Sequence, residues 1–178
     1  LRDWLGGQSW FDTTQYRIGE PDSQPMHWPR WIELPLALVF LLLKPLLGAV
    51  TAETAAMVIV PLITLGVAMW LVARITEQVF DRPIAILAAT LTATAVPIVA
   101  QIRPMRVDHH GWQIVLALAA LWTIFWPDKR KGGIALGVAL ALWLSISLEG
   151  LPLSAAFIVL LVWRWVFQTE EGVRLFWT

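Results

Sequence analysis

An all-α, polytopic transmembrane helical bundle is the fold class this sequence predicts, on three observations. Of its 178 residues, 58% are hydrophobic and 15% charged. The mean hydropathy is +0.67, which leaves too little polar surface for a soluble domain of this length. Five apolar stretches, at roughly residues 54–74, 83–101, 111–126, 133–148 and 151–167, approach the ~20 helical residues that about 30 Å of hydrocarbon requires. No period-two alternation of apolar and polar residues appears, which excludes a β-barrel.

The breaks between these stretches are ITEQVFDRP (75–83), IRPMRVDHH (102–110), PDKRKGG (127–133) and SLEGLP (147–152). A sixth apolar run, ELPLALVFLLLKPLLG (33–48), is interrupted by Lys44-Pro45. Its continuous part is about half a span, so it is expected to lie at the membrane interface. The predicted organisation is an external first loop over 1–31, an interfacial helix over 32–48 and a bundle of about five helices over 49–178. Twelve tryptophans are present, and Trp28, Trp31, Trp112, Trp126, Trp163, Trp165 and Trp177 fall near predicted segment ends, as interfacial aromatic belts require. The chain begins at Leu1 and ends on Phe176-Trp177-Thr178 without an initiator Met or a polar tail. It is therefore expected to be part of a longer polypeptide.

Charge sets the orientation. Lys129, Arg130 and Lys131 form the densest basic loop, which places that loop in the cytoplasm. Counting back, the Asp108-His109-His110 loop is external, and with residues 33–48 lying flat the polar first loop shares its side. Zero net charge offers nothing for nucleic acid, and the absence of cysteine excludes disulfides and thiolate metal sites.

The chemistry concentrates in RPMRVDHHGWQ (103–113). Asp108 and His110 stand two apart in a loop leading into a helix, so a carboxylate oxygen and an imidazole nitrogen can converge on one cation. That pairing suits Mn²⁺, Fe²⁺ or Zn²⁺, whereas Mg²⁺ prefers oxygen. The alternative is a polar loop bonded to headgroups or backbone. Arg103 and Arg106 flank the motif and can fork onto phosphate oxygens, or snorkel to headgroups. Glu149 ends an apolar helix, where an acid facing lipid is costly. It is a candidate catalytic base, or simply marks a helix end with Gly150 and Pro152. In the first loop, Asp12 is a catalytic candidate that can instead cap a turn with Thr13 and Thr14. Arg17 and His27 are candidate substrate-binding residues, His27 being equally able to pack between its aromatic and proline neighbours.

The order GQSWFDTTQYRIGEPDSQPMHWPRW, LPLALVFLLLKPLLG, two spans, RPMRVDHHGW and SISLEGLP resembles the N-terminal half of the GT-C superfamily of membrane glycosyltransferases, especially the oligosaccharyltransferase catalytic subunit. SWFDTTQYR is similar to the aromatic-acid-Tyr-Arg segment of that family's first external loop. The resemblance implies a lipid-linked sugar donor on a polyprenyl phosphate or diphosphate, and a divalent metal (Mn²⁺ or Mg²⁺) held by Asp108 and His110. It also implies a multi-pass protein of a bacterial inner membrane with the Asp108 loop periplasmic. The family's first-loop acid and its soluble C-terminal domain have no counterpart here. The competing expectation is a non-catalytic transmembrane subunit of a larger membrane-protein complex, respiratory or light-harvesting. No phosphate-cradling Gly-rich loop, HExxH or GxSxG is present, and no inverted repeat points to a transporter.

Overall fold

Helices account for every regular element among the described residues, which are 1–17 and 22–178 of a computed structural model. Residues 18–21 of the first loop lie outside that description. A lone bridge joins Thr14 to Pro25. The helices are α1 (Arg2–Leu5), α2 (Leu34–Thr76), α3 (Arg82–Thr92), α4 (Val96–Gln101), α5 (His110–Ile124), α6 (Lys129–Ile146), α7 (Leu151–Phe167) and α8 (Glu171–Trp177). Short 3₁₀ turns at Arg30–Glu33 and Leu148–Gly150 lead into α2 and α7.

α2 is continuous in the chain but not in direction. Gly48 sits at φ 74° and ψ 166°, a region essentially reserved for glycine. Leu36, before it, packs against Ala56 and Val60, beyond it. A straight helix would hold Leu36 and Ala56 about 30 Å apart, so the arm 34–47 folds back along the arm 49–76. Arg2 of α1 clasps Glu53 at 2.6–2.9 Å. Leu38, Leu41, Leu42 and Leu46 share one face of the first arm and are exposed.

Among the described residues, two helical runs are long and apolar enough to cross a membrane: Arg30–Thr76, of which residues 49–76 form the second arm, and Leu148–Phe167. About five were expected, and the other three fall short for separate reasons. Residues 83–101 are divided into α3 and α4, because Pro97 has no N–H to return to the carbonyl of Ala93. α5 has only 15 residues. α6 carries Lys129, Arg130 and Lys131 in its first turn.

The starts of α3 and α6 are written locally. Asp81 accepts the N–H of Ile84 at 3.1 Å, and Asp128 accepts that of Lys131 at 3.0 Å; each satisfies an otherwise unpaired donor of a first turn. The main core joins Leu116, Ala120 and Ile124 of α5, Leu136, Leu140 and Trp143 of α6, and Phe157 and Leu161 of α7, with Ile32 closing one side. A second cluster packs Ala68 and Leu71 of α2 against Ile102 and Val115. Helices α5, α6 and α7 therefore run up and down between two poles.

At one pole α8 docks through a charge network. Glu171 is ion-paired to Lys129, Arg164 (3.2 Å) and Arg174 (3.0 Å). Arg174, fully buried, also donates to the carbonyls of Thr123, which accepts the Trp126 N–H as well, and of Trp126 (2.7 Å), just past the end of α5. Gly132 and Gly133 leave the room in which Arg174 lies. The opposite pole holds the start of α5, the end of α6 and the start of α7, where His109, His110 and Glu149 meet.

Candidate cation site

Asp108 organises the loop that enters α5. One carboxylate oxygen takes Arg106 Nε at 2.8 Å and the other takes the His110 backbone N–H at 3.1 Å. Arg106 also donates to the Ala100 carbonyl at 3.0 Å. Burial alone would raise the Asp108 carboxyl, but the His110 N–H, its nearby imidazole and the Arg106 guanidinium outweigh it and hold it below the usual range.

His109 is buried, and neither ring nitrogen has a hydrogen-bond partner among the described residues. Its Nε2 lies 4.0 Å from a Glu149 oxygen, and its ring stacks on His110 at 4.4 Å between centroids. His110 Nδ1 is also buried and unpaired; it sits 3.1 Å from Asp108 Oδ1 without the alignment a hydrogen bond requires. Buried polar atoms left unpaired cost free energy and are uncommon. Three such nitrogens lie side by side on two rings, and each neutral imidazole offers one lone pair. One atom each from His109, His110 and Glu149 lies within 4.8 Å of the others, so the three could hold a metal ion. Burial first, then the neighbouring His110 and His27, lower the basicity of His109, which favours the neutral, metal-binding imidazole.

Glu149 is steered from behind. Gln113 Nε2 donates to it at 3.1 Å, and Trp143 Nε1 donates to Gln113 Oε1 at 3.3 Å. Gly150 makes this possible, since a Cβ there would stand 2.6 Å from Trp143 Nε1. From the first loop, His27 and Trp28 close over His109 with ring centroids 5.2 and 4.7 Å away.

Of the two expected metal ligands, His110 belongs to the three-residue group. Asp108 does not contribute to the three-residue set; its oxygens are engaged within its own loop. His109, passed over in favour of its neighbours, and Glu149 complete the group. His27 reaches the site as a packing partner. Arg106 braces Asp108, while Arg103 is exposed and has no ion pair among the described residues. Arg17 pairs with Asp3 at 2.7 Å.

Asp12 accepts from Thr14 N (3.0 Å) and Tyr16 Oη (2.9 Å). Thr14, then Tyr16, holds its carboxyl down to about 2, making it a poor proton acceptor near neutrality. Arg30, absent from the expected set, is buried and shapes this loop, donating to the carbonyls of Trp10 (3.0 Å) and Asp12 and pairing with Glu33. Its only sequence signal is a lone cation among Trp28, Pro29 and Trp31.

Comparison with protein-family models, with curated proteins and with solved structures finds no match. The class that fold and site define is thus an all-helical chain with two helices able to cross a membrane and a His-His-Glu cluster able to hold a cation.

Proposed function

We propose that this chain is the donor-binding half of a GT-C-type membrane glycosyltransferase, acting on a sugar carried by a polyprenyl phosphate or diphosphate. One observation carries the reading. The three polar segments that the resemblance orders along the chain (PMHWPR, RPMRVDHH and SISLEGLP) meet in space, with His27 and Trp28 against His109 and Glu149 beside it.

In this reading, the shorter helices complete a bundle of about five spans together with the arm 49–76 and α7. The exposed leucine face of the arm 34–47 rests on the membrane surface. The Lys129–Lys131 pole is cytoplasmic and the His109 pole periplasmic, in a bacterial inner membrane. Two imidazoles and a carboxylate suit Mn²⁺, Fe²⁺ or Zn²⁺ better than Mg²⁺. A cation held by His109, His110 and Glu149 would stabilise the negative charge of a departing phosphate. Arg103 is free to fork onto the same phosphate, Asp108 and Arg106 hold the loop, and the Trp143–Gln113 relay fixes Glu149.

The test is Mn²⁺-dependent binding of a polyprenyl-phosphate sugar to the purified full-length protein, comparing wild type with His109→Ala, His110→Ala and Glu149→Ala. Binding that requires Mn²⁺ and disappears in all three supports the reading. Absence of binding in the wild type, or binding unaffected by the three changes, would leave a non-catalytic membrane subunit as the better account.

A further inference from the structure

Two departures from regular backbone meet beside the cation site. Pro61 lies inside α2 and has no N–H, so the carbonyl of Met57, four residues earlier, loses its helical partner. Met105, in the loop between α4 and α5, adopts φ 70°, a left-handed conformation costly for a residue with a long side chain. Its N–H donates to that same Met57 carbonyl at 2.8 Å. Each departure answers the other: the proline releases an acceptor, and the strained residue turns its donor toward it. Strain of this kind persists only where its surroundings enforce it.

The contact joins α2 to the loop that carries the site. Three residues beyond Met105 comes Asp108, and Pro61 lines the same small pocket as Arg106, Asp108 and Gly111. We propose that Pro61 is a positioning residue for the His109–His110–Glu149 site: it withholds an N–H from Met57 so that Met105 is pinned to α2 and the loop 103–109 is held in register with Glu149. This rests on the cation reading for its consequence, but not for its geometry. Pro45, the other proline in the interior of α2, offers a control, since no loop donor among the described residues bonds the carbonyl of Leu41.

The full-length protein in lipid nanodiscs would be compared as wild type, Pro61→Ala, Pro45→Ala and Met105→Pro. The readouts are hydrogen exchange at the 103–108 segment, the rate of His109 carbethoxylation by diethylpyrocarbonate, and Mn²⁺ affinity. Restoring the N–H at residue 61 returns Met57 to the α2 ladder. Exchange in the loop should then quicken about two- to tenfold, the range a single net hydrogen bond allows. His109 labelling should quicken and Mn²⁺ affinity fall by a similar factor, while thermal stability stays level or rises because a helix-interior proline has gone. Met105→Pro, which removes the donor and forbids positive φ, should reproduce the faster labelling and weaker affinity without touching α2, and Pro45→Ala should do neither. Unchanged loop exchange and labelling in both Pro61→Ala and Met105→Pro would overturn the proposal. Faster exchange with unaltered labelling would also overturn it, by showing a pin that positions nothing. A wild type that takes up no Mn²⁺ refutes the cation reading alone, and exchange and labelling still decide the pin.

Discussion

Replacing Glu171 by alanine should unlatch α8 and destabilise the pole opposite the cation site. Glu171 is 1% exposed and is the shared anion of Lys129, Arg164 and Arg174. Lys129 and Arg164 are about a third exposed, so without Glu171 they can turn to water at little cost. Arg174 cannot. Its guanidinium is fully buried and would keep two carbonyl partners but no counter-charge. Removing one member of a buried pair costs about 3–5 kcal/mol, and the two retained hydrogen bonds place this case near the lower end, about 3 kcal/mol.

The assay is equilibrium unfolding in detergent by denaturant titration, with limited proteolysis after Phe167 as the local readout. A double change, Glu171→Ala with Arg174→Met, should recover part of the loss, because it removes the stranded charge as well as its partner. A single-variant loss below about 1 kcal/mol, the level of an exposed ion pair, would refute the reasoning. So would a double variant worse than the sum of the single ones. Acidity should mimic the mutation. Burial alone would raise the Glu171 carboxyl, but Lys129, Arg164 and Arg174 hold it below its ordinary 4.5. Its stabilisation is therefore complete above that value and is lost as pH falls through the lower, folded one.

Three further outcomes follow from the same structure. Gly48→Ala should cost about 1–3 kcal/mol in the same titration, the range for a residue forced into a glycine-only conformation; no described residue lies within 4 Å of the added Cβ, so the loss is of backbone origin. Gly150→Ala should push Trp143 away from Gln113 and weaken Mn²⁺ binding, measured by electron paramagnetic resonance titration, and crowding this core indole should cost about 1–3 kcal/mol of stability. His109→Ala should abolish Mn²⁺ binding, whereas Asp108→Ala should weaken it about 10- to 100-fold, as loss of a supporting rather than a ligating group does; equal losses in both would return Asp108 to the ligand set.

Much of the helical layout is legible in the chain itself. The breaks at 75–83, 102–110, 127–133 and 147–152 coincide with interhelical turns because Asp81, Asp108, Asp128 and Ser147 bond backbone N–H groups two or three residues ahead. Such contacts depend only on neighbours in sequence. The division of 83–101 was also written there, in Pro97, but an unbroken apolar composition masks it. The site was half legible: the Asp-His-His run marks the place, yet adjacency cannot say which side chains turn inward.

What the sequence by itself determined is therefore local: an apolar, all-helical chain, its capped helix starts, the Lys129–Lys131 and Asp108–His110 loops, and the glycine and prolines that bend it. Tertiary structure alone decided the reversal of α2 that brings Leu36 to Val60, the burial of Glu171 with Arg174, and the pinning of Met105 to Met57. It also brought Glu149, 40 residues further along the chain, to within 4.0 Å of His109. The reason is physical. A helix start is stabilised by bonds within one turn, whereas a cation site needs donors from separate helices, and their meeting depends on how α5, α6 and α7 pack.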